Sequence, residues 1–498
     1  MKHSIKKSNI IKTVAFLLIF VLLLVYATDV LQPKWIDGTS VTFVQKQFYD
    51  EKKDTIDVAV LGSSQLVYGI SSMRLLDQYG ISAYSLATGE QPVLCGYFYL
   101  REMTKTQNLK TVIYDVSMLY EQEQESRFRK TIDTAPMSLN KLWMIKEHRS
   151  LPFAESAWTY LFPIMKYHSR WDELVEADYG YKDMNTEVFK GNIMSPRASQ
   201  RINYDALCVD NDEIDPTKQM DESELHYFRE MVAYCKEKGI DLILIKTPKT
   251  TWSKTSMVGV EELAEEYDLP YMDFNTSELL SAAGIDITRD FWNQDHLNIR
   301  GAEKLTDYMA QYLLENGSYE DGRKTEAYDE EEVAKYNIDR ENKYLETANY
   351  FEDAVEAMTG KDRYETVVQL TGEVSSYWNE KYQQLFEQIG LETDLASLQG
   401  NSFVGQYQNG SCIYEESSAD KIERNGNFAD GQPYQLTSKN GLSEEDAVST
   451  IAGTDVGYHK SGLNFSVYDS VNHTLVSNFT LYYDEAKGDF NIYHYYEN

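Results

Sequence analysis

Between residue 56 and about residue 316 one pattern recurs: a short β-rich apolar run, then a longer stretch with apolar residues every third or fourth position. The runs are IDVAVLG (56–62), SAYSLAT (82–88), KTVIYDVSML (110–119), DLILIKTP (241–248) and PYMDF (270–274). Helical stretches such as SSMRLLDQYG, GEQPVLCGYFYLREMTKT, GVEELAEEYDL and NIRGAEKLTDYMAQYLLENG alternate with them. In DESELHYFREMVAYCKEKGI, the residues Leu225, Phe228, Met231, Val232 and Cys235 share one face, and Gly239 closes the helix. Strands separated by helices pair in parallel through crossovers, so this order predicts an α/β domain, a parallel sheet with helices on both faces.

Residues 120–215 break the rhythm. They are rich in Trp, Tyr, Phe and Arg, with helical pieces such as TAPMSLNKLWMIKEHR, and read as an insertion capping the sheet's carboxyl edge. Residues 317–398 begin as a charged hinge and continue as helix through YLETANYFEDAVEAM and YWNEKYQQLFEQIGL. From 399 to 498 the texture changes to short alternating strands with Gly and Asn turns, the signature of an all-β, sandwich-like domain. The α/β domain thus occupies 36–316.

Residues 1–35 have a different logic. Lys2, Lys6, Lys7 and Lys12 precede TVAFLLIFVLLLVYAT, sixteen residues without a charge. Basic residues before such a run stay in the cytoplasm, and everything beyond it is exported. Two readings fit: a signal peptide cleaved after Val25-Tyr26-Ala27, or an uncleaved single-pass anchor over Ile10 to Leu31. The anchor is favoured because Val30 and Leu31 extend the run and Tyr26 and Trp35 suit an outer interface.

The formal net charge is −33, which repels nucleic acid over most of any surface this chain can present. Tyrosine, at 38 residues, suits either glycan-facing grooves or ordinary strands. Cys95, Cys208, Cys235 and Cys412 form no C-x-x-C pair and have no His at metal-ligand spacing, so neither a zinc site nor a disulfide framework is implied.

Ligands of open α/β sheets bind at the carboxyl ends of the strands. The first strand ends in Gly62-Ser63-Ser64. Gly62 permits a tight turn; a Ser after it either caps the next helix or presents a nucleophile beside backbone N–H groups. A nucleophile needs a base. Of eight histidines, His3 is cytoplasmic, His226 is on an amphipathic helix, and His148, His168, His459, His473 and His494 read as surface residues. His296 stands in a polar loop, DFWNQDHLNIRGAEKL, before the last helix of the α/β segment. A Ser at the first strand and a His in the last loop form a recurring nucleophile–base arrangement. Asp115 at the third strand end caps a helix or lines the cleft; Lys246 and Thr247, at another strand end, suit contact with an anionic substrate, but a solvated lysine is the favoured reading.

VLGSSQ and DHLNIRGAEKL resemble the first and last blocks of SGNH/GDSL-type hydrolases, over roughly residues 55–316. They are most similar to membrane-anchored members acting on cell-envelope polymers, including the D-alanyl transfer proteins of teichoic acid D-alanylation. The resemblance implies a three-layer, flavodoxin-like sheet. It makes Ser64 the nucleophile, with Ser63 in the family's Asp position, and His296 the base. Asn293 replaces the Asp three residues before that His, leaving Asn293, Asp295 or Asp290 to orient the imidazole. The oxyanion donors would be the Ser64 N–H and groups of Gly89 or Gln91. The implied activity is that of an extracytoplasmic serine esterase or O-acyl transferase acting on an envelope glycan or teichoic acid, with no cofactor. A membrane-bound acyltransferase is the implied partner. The competing expectation is a catalytically degenerate scaffold that binds the polymer or that partner.

Overall fold

The computed structural model describes residues 7–495 except 37, 123, 152–153, 182–183, 185–187, 196–200, 373, 399, 440–448 and 457–459. His3 and His459 lie outside the described residues. The chain divides into two compact units. The first comprises Met1–Ile193, Asn203–Ile285 and Ala302–Val333; the second comprises Met194–Ile202, Asp286–Gly301 and Ala334–Asn498.

The first unit is built on a five-stranded parallel sheet: β1 (Val58–Leu61), β2 (Ala83–Ser85), β3 (Thr111–Asp115), β4 (Asp241–Lys246) and β5 (Tyr271–Asp273). Its order is β2-β1-β3-β4-β5, with every pair parallel. Each residue of β1, β2 and β3 is buried, which is why those runs read as continuous apolar stretches rather than alternating ones. Helices Val93–Met103 and Glu222–Lys238 pack together, and Phe98, Phe228, Met231 and Val232 join the sheet in one core. The chain leaves β1 toward β2 on one side and later returns to place β3 on the other. The strand order reverses there, and the carboxyl ends of strands at such a reversal are where open α/β sheets bind ligands.

The amino-terminal helix runs from Lys7 to Leu31, and Ile10–Leu31 is long and apolar enough to cross a membrane. At 1.5 Å per residue those 22 residues span about 33 Å, close to a bilayer's hydrocarbon thickness.

The insertion is largely helical, as its composition suggests. Its helices Glu125–Thr134 and Leu139–His148 pack on helices Val41–Asp50 and Val93–Met103. The hairpin Val188–Ile193 reaches the short helix Ser64–Gly69. His148 is not a surface residue. It is buried, its ring is stacked on Phe128 with centroids 3.5 Å apart, and Nε2 lies 2.8 Å from Glu125 Oε2. Buried Arg129 beside it meets Glu125, Asp133 and Glu155 at 2.8, 3.2 and 2.6 Å. An arginine that deep is tolerable only with its donors met by carboxylates, and Glu125 also meets His148 and Tyr160, which ties three helical pieces together.

In the second unit the stretch expected to be helical through residue 398 contains a strand, Tyr364–Thr371. It is central in a six-stranded antiparallel sheet whose order is 411–418, 402–408, 364–371, 462–469, 474–484, 489–494. Its residues alternate between two buried faces. Tyr364, Val368 and Leu370 face a core shared with Phe351, Val355 and Phe386 of helices Phe351–Met358 and Glu380–Glu387. Val367 faces a second core with Val404, Tyr434, Leu436 and Ile451, where a four-stranded sheet covers the other side. Both faces are buried, and Thr366 on one and Val367 on the other break the alternation, so YETVVQLT between helices gives no clean period of two.

His494 ends the last strand of that sheet, with Nε2 against the carbonyl of Ala348. Burial lowers its imidazole to about 4, and the Ala348 carbonyl pulls the other way. The unfolded chain, with an ordinary imidazole near 6.5, binds this proton more readily. The second unit should therefore hold its full stability above about pH 6.5 and lose up to about 3 kcal/mol as pH falls toward 4. Urea unfolding against pH, repeated with His494→Gln, measures this: the substitution should remove that part of the pH dependence.

Candidate active site

The turn after β1 is held by one carboxylate. Asp115, fully buried at the end of β3, accepts the Ser63 N–H at Oδ2 over 3.2 Å and the Ser63 hydroxyl at the same oxygen. Its Oδ1 accepts the N–H and hydroxyl of Ser117 at 3.1 and 2.7 Å, capping the turn Val116–Tyr120. Gly62 has φ 131° because β1 passes so close to β3 there. A Cβ on Gly62 would stand 2.7 Å from Asp115 Cβ and 3.0 Å from its backbone nitrogen. Ser63 Oγ also accepts the Gln65 N–H at 3.2 Å, so Ser63 is the N-cap of helix Ser64–Gly69.

Ser64 then opens the helix. Gly62, Ser63 and Gln65 around it are buried, whereas Ser64 is half-buried. Ser64 is thus the less buried residue of the turn, at the carboxyl end of β1.

Gln91 and Gly89 turn out to be structural in this arrangement. Gln91 is buried; its Oε1 accepts the Gly62 N–H at 3.0 Å, and its Nε2 donates to Leu86 O at 2.6 Å. The Gly89 N–H donates to Thr39 Oγ1 at 3.0 Å. Neither is a free oxyanion donor, because each spends its donor bracing the loop after β2. Gly89 does border a cavity of about 550 Å³ whose walls include Lys34, Lys130 and Arg170. Lys34 faces Asp29 and Arg170 faces Asp178, at 3.7 and 3.1 Å. Lys130 has no carboxylate partner among the described residues.

Lys246 is likewise not solvated. It is fully buried, donates to Gln65 Oε1 at 2.8 Å and to Thr247 O at 2.7 Å, and lies 5.2 Å from the Trp252 ring centroid. Thr247 Oγ1 donates to the same Gln65 oxygen. The residue after Ser64 is thereby pinned to the end of β4. Gln65 and Asn192, whose Oδ1 accepts the Ser72 N–H at 2.7 Å, are supports that no sequence motif announces.

His296 belongs to the second unit, in a small hairpin formed by Phe291–Asn293 and His296–Leu297. Asn293 Oδ1 accepts the N–H groups of Asp295 and His296 at 2.8 and 2.9 Å and lies 3.1 Å from His296 Nδ1. With the tautomer assigned from this network, Nδ1 carries the proton and Nε2 the lone pair. The Trp292 ring lies over the imidazole with centroids 5.3 Å apart. Asp290, buried, accepts the Asp286 N–H at 2.6 Å and closes its own loop. The segment is fixed by Arg289 and Arg300, which meet Asp353 Oδ1 at 3.2 and 3.8 Å. Nearby charge of this kind groups residues 286–301 with helix Phe351–Met358.

No known family's model matches this chain, and no curated protein matches it. Among solved structures, a gut microbial diltiazem-metabolizing enzyme aligns with 82% of this chain and 62% of its own, at 11% identity and a TM-score of 0.19. This chain thus spans less than two thirds of that enzyme's length, and a superposition at that score carries neither fold nor activity across.

Asp115→Ala would leave the N–H groups of Ser63 and Ser117 buried without an acceptor. It should destabilise the first unit by about 2–4 kcal/mol, whereas Asp115→Asn, which keeps one carbonyl oxygen, should cost less. Chemical unfolding of both variants reads the difference.

Proposed function

We propose that this chain is a membrane-tethered serine esterase or O-acyl transferase of the SGNH type, with the flavodoxin-like sheet of that class, acting on acyl esters of an envelope glycan or teichoic acid. The observation that carries the reading is Ser64: one half-buried hydroxyl, at the strand-order reversal, among neighbours locked by Asp115, Gln91 and Lys246. Ile10–Leu31 serves as the anchor, with the basic amino end inside and both units outside.

In the proposed reaction His296 Nε2 takes the Ser64 proton as Oγ attacks the ester carbonyl. The tetrahedral intermediate collapses with loss of the alcohol, which receives that proton from the imidazolium. Water or a sugar hydroxyl then takes the acyl group by the reverse sequence. The Ser64 N–H, at the start of its helix, is the oxyanion donor the proposal retains. Asn293 holds Nδ1–H, which orients the ring but stabilises the imidazolium less than a carboxylate would. In the cavity beside Gly89, Lys34 and Arg170 are paired with Asp29 and Asp178, and Lys130 is the cation that suits a phosphate-bearing polymer.

A second reading draws on Asn293 and on the occupied Gly89 N–H: a degenerate scaffold that holds the polymer or a membrane-bound acyltransferase partner without chemistry of its own.

Fluorophosphonate labelling of the full chain separates the two. The esterase reading expects labelling that disappears in Ser64→Ala and falls on the order of 10²-fold or more in rate in His296→Ala. Asn293→Asp should keep labelling and move its acidic limb to higher pH, because a carboxylate at Nδ1 stabilises the imidazolium. Wild-type protein that takes no label, or takes it equally after Ser64→Ala, leaves the scaffold reading.

A further inference from the structure

We propose that residues 157–180 of the insertion lie in the head-group layer of the membrane, so that the first unit holds the bilayer by a surface as well as by its anchor. The proposal rests on reading Ile10–Leu31 as that anchor. The segment consists of short helical pieces: Ala157–Leu161, Ile164–Tyr167, His168–Asp172 and Glu176–Gly180. The last three pack against the amino-terminal helix. Arg170 Nη1 donates to the carbonyl of Leu31 at 2.7 Å, one of the helix's final carbonyls. Gln32 Nε2 donates to Asp133 O at 2.6 Å. Tyr167 of the segment donates its hydroxyl to Oδ2 of the same Asp133, so these bonds hold the segment at the level where the apolar helix ends.

At that level the segment presents large apolar side chains outward. Trp158 is 58% exposed, Trp171 71%, Val175 60% and Tyr179 61%, with Phe162 and Met165 beside them. Trp158 and Phe162 stack with centroids 5.9 Å apart. Six such residues within 24 are more than a water-facing surface ordinarily carries. Trp and Tyr are the residues that favour the boundary between head groups and chains, where the ring is apolar and the N–H or O–H stays wet. Pieces of four or five residues cannot span a bilayer, so the segment lies on it. Continuity with the end of the apolar helix favours lipid as the occupant over a protein partner.

The test uses the full chain with Cys412→Ser, since Cys95, Cys208 and Cys235 are buried. An environment-sensitive fluorophore is placed at Trp158→Cys, Trp171→Cys, Tyr179→Cys or Phe16→Cys. The protein is reconstituted into phosphatidylcholine–phosphatidylglycerol vesicles. Labels at 158, 171 and 179 should lose most of their emission to lipid carrying a nitroxide on its head group, and less to lipid carrying it deep in the chain. The label at 16 should show the reverse order. Quenching at 16 with none at the other three overturns the docking and leaves the anchor, pointing to a protein occupant instead. No quenching at 16 overturns the anchor and this proposal together.

Discussion

The buried carboxylate of Asp115 is the constraint around which the first unit is arranged. It stands at the end of β3 yet spends one oxygen on the turn after β1 and the other on the turn after its own strand. Two adjacent parallel strands are thereby joined at their carboxyl ends by side-chain bonds, beyond the reach of the ladder between them. Gly62 is the corollary: the strands come so close there that no side chain fits. Further supports converge on the same few residues, Gln91 from the loop after β2 and Lys246 from the end of β4. Ser63 and Gln65, on either side of Ser64, are both held by these supports.

The second unit holds His296 under different rules. Its sheet has helices on one face and a smaller sheet on the other, and the hairpin bearing His296 is attached through Arg289 and Arg300 to Asp353. Burial raises the Asp353 carboxyl above its usual range and the two guanidinium groups pull it back. That balance is a reason for two arginines where one would leave the charge poorly compensated. In the esterase reading, the attachment of residues 286–301 to helix Phe351–Met358 is what holds His296 and Asn293 in place.

Much of this was legible from residue order. The five strands of the parallel sheet, the apolar helix, the insertion's helical content and the β-rich tail all follow from periodicity and turn residues. The strand Tyr364–Thr371 was not, because burial on both faces erases the alternation that marks a strand. His148 and Lys246 were misread for a related reason: a charged or titratable side chain looks solvated until its partners, Glu125 in one case and Gln65 in the other, are brought beside it from elsewhere in the chain. Gly89 and Gln91 looked like donors, and only the loop's own bonds reveal that their donors are spent.

The sequence by itself determined the kinds of element, their order and the chemistry available at their ends. Periodicity, turn residues and side-chain type are local properties. Tertiary structure alone decided which polar groups meet: that Ser63 caps the helix and bonds Asp115, that Asn293 meets the imidazole, and that residues 286–301 are grouped with helix Phe351–Met358. Several of these outcomes, Asp115 with Ser63 and Arg289 with Asp353 among them, depend on distances between residues tens of positions apart, which packing sets and local order does not record.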